Sequence, residues 1–190
     1  MTLQQRKKLN LVFTLLILIG LVIIALSILY FTQDNQFTRY KDTGGNGFEV
    51  KYPNNWTVAP YTSGVNAVFY SPLDNALDKY KDNVNILVQD MNKLTEIYSL
   101  NKYTKKAIGQ MKVIYKENFV LLDSQDITVD NTPGHEITFI GKNPGIDLKV
   151  KCVWAIKGTN VYLFTYSAVD SQYDKYIKKV DAMLRSFRIP

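Results

Sequence analysis

The chain has 190 residues, with 23 Lys and Arg against 17 Asp and Glu and a formal net charge of +6. Arg6, Lys7 and Lys8 crowd the N-terminus, so residues 35–190 hold 20 basic and 16 acidic groups, an ordinary solubility charge that excludes a nucleic-acid footprint. One cysteine excludes an internal disulfide, and one histidine leaves no Cys/His cluster for zinc.

The first element in the chain is apolar. Residues 11–31 run for 21 positions without a charge. At about 1.5 Å per residue such a helix is roughly 30 Å long, the thickness of a bilayer core, with every backbone polar group satisfied internally. It predicts one N-terminal transmembrane helix that contacts membrane lipid. Arg6, Lys7 and Lys8 before the run outweigh the looser Arg39 and Lys41 after it. The positive-inside rule therefore makes residues 1–10 a cytoplasmic tail and puts the rest outside, in a single-pass protein of the cell membrane. The alternative is a cleaved signal peptide, with Ala25 and Ser27 before the cut. The apolar run continues to Phe31, longer than the roughly 7–15 residues of a cleavable segment. No cysteine occupies a lipobox-like position.

Residues 32–46 are polar, end in Gly44-Gly45-Asn46 and read as a linker; residues 47–190 read as the exported domain. The domain opens on "GFEVKYPNNWTV" (47–58). Pro53 ends an alternating strand because it has no N–H to donate, Asn54-Asn55 tolerate a turn, and Trp56 begins the return strand of a first hairpin. Asn55-Trp56-Thr57 is an N-x-Thr sequon, which makes Asn55 a glycosylation candidate wherever such a system operates on that side.

Residues 65–72 and 83–91 have the alternation and β-branched content of strands. The charged loop between them offers Asp74, Asp78 and Asp82, which would share one face of a helix. Lys79 and Lys81 interleave, and the loop lacks the alternate-position ligands of a calcium loop, so any divalent-ion site there is weak. Residues 99–115 form a helix, with Leu100, Tyr103, Ala107 or Ile108, and Met111 on one face, lysines elsewhere and Ser99 as N-cap. Strands follow over 118–130, 135–141, 146–157 and 160–169, joined by turns at Asn131–Gly134, Lys142–Gly145 and Gly158–Asn160. The last strand is apolar on both parities, which suits a central strand covered on both faces. Apolar residues every three to four positions predict a closing helix over 171–190, capped by Asp170 or Ser171. Helices around consecutive, tightly turned strands give an α+β fold with a central antiparallel sheet.

Groups able to do chemistry are few. Cys152 shares the parity of Val150, Trp154 and Ile156 and reads as a small buried residue. His135 stands beside Glu136, but adjacent strand residues point to opposite faces, and no nucleophile–base pair completes a hydrolytic site. No phosphate- or dinucleotide-binding glycine pattern is present, so no cofactor is expected. Among the 13 tyrosines, Tyr61, Tyr70, Tyr80, Tyr98 and Tyr115 fall near strand ends or loops and as a group favour a protein-contact surface.

The order of these features resembles a known family. Phe48-x-Val50-x-Tyr52-Pro53-x-x-Trp56 is followed by "FYSP", "VNILVQDM", the helix "YTKKAIGQM", "DITVDNTPGHEITF", the strand pair "VWAIKGTNVYLFTYSA" and the terminal helix "YDKYIKKVDAMLRSFRI". Over residues 46–189 this is similar to the PsbP family, named for an extrinsic protein of photosystem II, and especially to its membrane-anchored prokaryotic relatives. The resemblance implies a central sheet between helix layers, an α/β/α sandwich used for unrelated binding roles that include a nuclear Ran-binding factor. The resulting expectation is a non-catalytic, membrane-anchored, extracytoplasmic binding or assembly module contacting a membrane protein complex. The alternative is a sensor or carrier for a small ligand or ion on the same scaffold, with an aromatic-lined pocket.

Overall fold

A computed structural model describes residues 18–19, 21–23, 36–62, 64–73, 75, 80–94, 96–143 and 145–190. Most of the apolar run 11–31 lies outside these residues. Within it Leu18, Ile19 and residues 21–23 are helical and exposed. No helix among the described residues is long and apolar enough to cross a membrane.

Strands β1 (Phe37–Lys41) and β2 (Glu49–Pro53) form a two-stranded sheet. Part of the stretch read as linker is therefore a strand. The loop after it is organised too: Asp42 is buried and accepts hydrogen bonds from the backbone N–H groups of Asn46 and Gly47 and from the Tyr61 hydroxyl. The seven remaining strands are β3 (Thr57–Thr62), β4 (Val65–Tyr70), β5 (Asn83–Asp90), β6 (Phe119–Val129), β7 (Thr132–Asn143), β8 (Ile146–Lys157) and β9 (Asn160–Val169). They build one antiparallel sheet in the order β3-β4-β5-β9-β8-β7-β6. Helix α1 (Leu100–Tyr115) carries the chain from β5, inside the sheet, to the edge strand β6; α2 (Ile177–Ser186) follows β9.

The Tyr52-Pro53-Asn54-Asn55-Trp56 corner does not close a hairpin. β2 pairs with β1 and β3 pairs with β4, so the corner hands the chain from the small sheet to the large one. The Trp56 N–H donates to the Pro53 carbonyl at 2.9 Å, and the indole is buried edge-on against Tyr176 at 5.4 Å. Proline has no N–H to extend the ladder, and burial of the tryptophan fixes the exit direction.

Two other expectations shift. The β6–β7 turn is Asp130-Asn131, both with positive φ (46° and 62°), while Pro133 and Gly134 already belong to β7. A two-residue loop with both φ positive matches the twist of the flanking strands, which a wider turn at 131–134 would not. The closing helix is also not continuous. Asp170–Lys175 is a 3-10 segment, α2 starts only at Ile177, and neither Asp170 nor Ser171 caps it. Tyr173 is held by its ring contact with Tyr166 at 5.0 Å and by the Tyr166 hydroxyl donating to its carbonyl at 3.1 Å. The chain after α2 is extended, and Arg188 bridges to Glu49. By contrast Ser99 caps α1 as expected, its hydroxyl accepting from the Lys102 N–H.

The strand parities then sort the core. Ile137, Phe139, Val150, Cys152, Trp154 and Val161 point towards α1 and meet Leu100, Tyr103, Ala107, Ile108, Met111 and Tyr115. The other face of the sheet carries Phe164 and Tyr166, which pack on Phe187 and Tyr173. β9 is buried on the α2 parity (Tyr162, Phe164, Tyr166, Ala168) and, apart from buried Val161, half-buried on the α1 parity, because a layer lies on each side.

Candidate functional site

The β6–β7 hairpin holds polar groups on both of its faces. On the α1 face, Asp126 lies opposite His135 and Ser124 opposite Ile137. The Ser124 hydroxyl is 2.9 Å from His135 Nε2, and Asp126 Oδ1 is 2.7 Å from Nδ1. The ring stacks at 5.5 Å on Trp154, which hides most of the side chain. His135 therefore has the serine and the orienting carboxylate that the sequence did not reveal. A turn over 131–134 is centred two residues late and would set Asp130, not Asp126, across from it; with the turn at Asp130-Asn131 the pairing follows by counting.

The connectivity copies a hydrolytic triad, but the surroundings differ. The Asp126 side chain is 83 % exposed, so water screens the charge that would stabilise an imidazolium. Ser124 sits in the edge strand β6, one residue past a register shift at Leu121–Asp123, and not on a strained turn that projects its oxygen. What this group can do is pin the edge strand β6 to β7 by side-chain hydrogen bonds.

Glu136 faces the opposite side, as parity requires. It is buried, and Lys151 Nζ lies 3.1 Å from its Oε1 and 3.0 Å from Asp181 Oδ1 on α2. Burial opposes the lysine's charge, but the hydrogen bond to Asp181 and the Glu136 carboxylate outweigh it and raise its pKa above the ordinary range. This triad floors an open groove of about 460 Å³ between the hairpin and α2. Gln125, Thr128, Asp130 and Arg185 complete the polar lining.

The remaining sequence candidates are dispersed. Cys152 is buried, and burial pushes its thiol up to about 11. A thiol raised in the native state keeps its proton while the unfolded chain gives one up, so its contribution is intact below pH 9 and is lost as pH rises towards 11. Urea midpoints of a Cys152→Ala variant should fall less steeply than wild type between pH 9 and 11; parallel slopes would contradict this. Asp74 and Asp78 lie outside the described residues, and Asp82 is buried. Among the described residues no three His, Cys, Asp or Glu side chains converge as a metal site. Asn55 is exposed in its turn.

The five tyrosines do not form one surface. Tyr98 and Tyr115 belong to the core under α1, Tyr61 bonds Asp42, Tyr80 bonds Ser167 at 2.8 Å, and Tyr70 is half-buried at the end of β4. An aromatic pocket does exist beneath α1, lined by Tyr98, Tyr103, Leu94 and Gln89, but it holds only about 100 Å³. That volume suits water, not a drug-sized ligand.

A family model described as PsbP-like protein matches residues 27–189. No curated protein matches the sequence. Among solved structures, cyanobacterial PsbP (CyanoP) of Synechocystis sp. PCC 6803 is similar at 17 % identity over 82 % of this chain and 93 % of that one, with a TM-score of 0.56. LpqN of Mycobacterium tuberculosis, involved in cell envelope biogenesis, is 14 % identical over 83 % and 94 %, with a TM-score of 0.60. The Ran-binding protein Mog1p of Saccharomyces cerevisiae is 8 % identical over 80 % and 95 %, with a TM-score of 0.54. At these identities the structures share the fold alone.

Proposed function

Since the chain belongs to the PsbP-like protein family, we propose that it is a non-catalytic binding or assembly module, held at the cell membrane by residues 11–31 with its domain outside, and engaging a membrane protein through the groove between β6–β7 and α2. The groove floor carries this reading. Lys151 is shared there by the Glu136 and Asp181 carboxylates, so neither stands free as an acid or base in the groove, while the exposed Arg185 remains at its rim for a partner; Asp130 is already held by Arg188. Confinement to the membrane raises the local concentration of such a module near its partner. Envelope biogenesis and Ran binding are roles of the similar proteins themselves and agree with a scaffold that serves binding.

The test is purification of the full-length protein from its native membrane in mild detergent, with a photo-crosslinker at Thr128, exposed in the groove lining. The expected result is a stoichiometric membrane protein linked at that position, lost in Arg185→Glu and retained in His135→Ala. A lone protein, or loss on changing His135, would overturn the reading. The groove volume also falls in the small-molecule range, which favours the carrier reading second; ligand-dependent thermal stabilisation abolished by Arg185→Glu would support it.

A further inference from the structure

Helix α1 leaves its outer face unused by the fold. Its inner residues Leu100, Tyr103, Ala107, Ile108, Met111 and Tyr115 serve the core, yet none of its 16 residues is fully buried. The outer face and C-cap carry Lys102, Lys105, Lys106, Lys112 and Lys116, all exposed, and residues 100–116 contain no Asp or Glu. Lys102 pairs with Glu96, and Lys106 bonds the Tyr98 hydroxyl. Lys105, Lys112 and Lys116 form no ion pair among the described residues and fall on one stripe, at spacings of seven and four.

An apolar side chain stands among these cations. Val113 is 75 % exposed and continues the row of Lys102 and Lys106; Ile114, also exposed, lies on the other side, three residues past Met111 and seven past Ala107. A valine this exposed on the lysine side is not explained by the core, which the opposite face already fills. Scattered lysines alone would be a solvated face; lysines around an exposed β-branched residue match an interfacial helix, whose cations meet headgroups and whose apolar groups enter the acyl boundary.

We infer that the outer face of α1 docks on an anionic lipid surface. Charge complementarity selects that occupant: the stripe of Lys105, Lys112 and Lys116, which forms no ion pair among the described residues, attracts a negative surface potential. Val113 selects lipid over a nucleic-acid backbone, to which it would add nothing. The inference deepens the membrane reading above and rests on it for the nearness of a bilayer. It orients the domain, leaving the groove on the opposite face of the sheet free for a protein partner.

The test uses the full chain carrying Val113→Cys labelled with an environment-sensitive fluorophore; buried Cys152 makes unlabelled-position background small, and wild type serves as the blank. The chain is reconstituted with vesicles of phosphatidylcholine alone or mixed with phosphatidylglycerol. On the anionic vesicles the label should shift to the blue and lose most of its accessibility to an aqueous quencher, about tenfold if each of three lysines contributes even a fraction of its usual attraction. High salt or the triple change Lys105→Glu, Lys112→Glu, Lys116→Glu should reverse it. A label equally wet, or equally protected, on both vesicles overturns the inference, as does protection that needs added membrane proteins in place of anionic lipid. Flotation separates the two readings. A chain that floats with phosphatidylcholine is anchored whatever the label reports, whereas one that floats only with phosphatidylglycerol docks through α1 and lacks the anchor.

Discussion

Lys151→Ala is expected to destabilise the domain by about 3–5 kcal/mol, because it strands the largely buried Glu136 carboxylate without its partner. Both Glu136 and Lys151 expose little more than a tenth of their side chains. Once the ammonium is gone, the nearest side-chain donor to Glu136 is Gln125 Nε2, at a long 3.5 Å. Burial costs a lone carboxylate far more than a paired one, so the penalty reflects the orphaned partner and not the net value of the bridge. The double change Lys151→Met with Glu136→Gln removes both charges, keeps the alkyl stem and should recover most of the loss. Asp181→Ala should cost about 1 kcal/mol or less, since this carboxylate is more exposed and Lys151 keeps Glu136. Urea unfolding of the four proteins gives the comparison. A Lys151→Ala cost below about 1 kcal/mol would mean that the triad is solvated and that the groove floor is not preorganised. Because the lysine's pKa is raised, the pairing contributes fully below its ordinary pH of 10.5 and is lost only as pH rises through the higher native value.

Trp154→Ala should be equally severe, about 3–5 kcal/mol, for a different reason. The indole is 0 % exposed at the centre of the α1 face, between His135 at 5.5 Å and Tyr103 at 6.2 Å. Truncation leaves a cavity that two neighbouring strands cannot collapse, and it orphans Thr104, whose hydroxyl accepts the indole N–H at 2.9 Å. Trp154→Phe keeps a ring but drops that bond and part of the volume, so about half of the loss should remain. Hydrogen exchange distinguishes a local from a global effect. The α1 amides should lose protection more than those of β4, because Thr104 and Tyr103 tie the helix to Trp154. Uniform loss across the sheet would show that α1 is docked mainly by its other apolar residues.

Much of the architecture is legible in local patterns. Strand and helix periodicities located β4, β5, β8, β9 and α1 to within a residue or two, since burial of one face imposes period 2 or 3.6 on the side chains. The parity of Cys152 with Val150 and Trp154 correctly assigned it to the core, and the two-sided hydrophobicity of β9 correctly made it a covered strand. The β6–β7 turn was harder. Proline and glycine at 133–134 are strong local turn signals, yet the tighter loop at Asp130-Asn131 prevailed because its handedness fits strand twist. That small displacement concealed Ser124 and Asp126 as the neighbours of His135.

The sequence by itself determined most of the elements, β1 and the break before α2 excepted, together with the antiparallel character of the strands and the family, because these follow from side-chain period, short connections and motif order. The tertiary structure alone decided what the Pro53–Trp56 corner does, since a strand's partner depends on which edge is free and not on its own residues. It also decided that Lys151 joins Glu136 to Asp181, 30 residues away on another element. Likewise, helical period sets the α1 lysines away from its apolar face, but only the tertiary structure leaves Lys105, Lys112 and Lys116 exposed and without an ion pair among the described residues. Periodicity says which side of an element is buried; only packing says what the other side is left to meet.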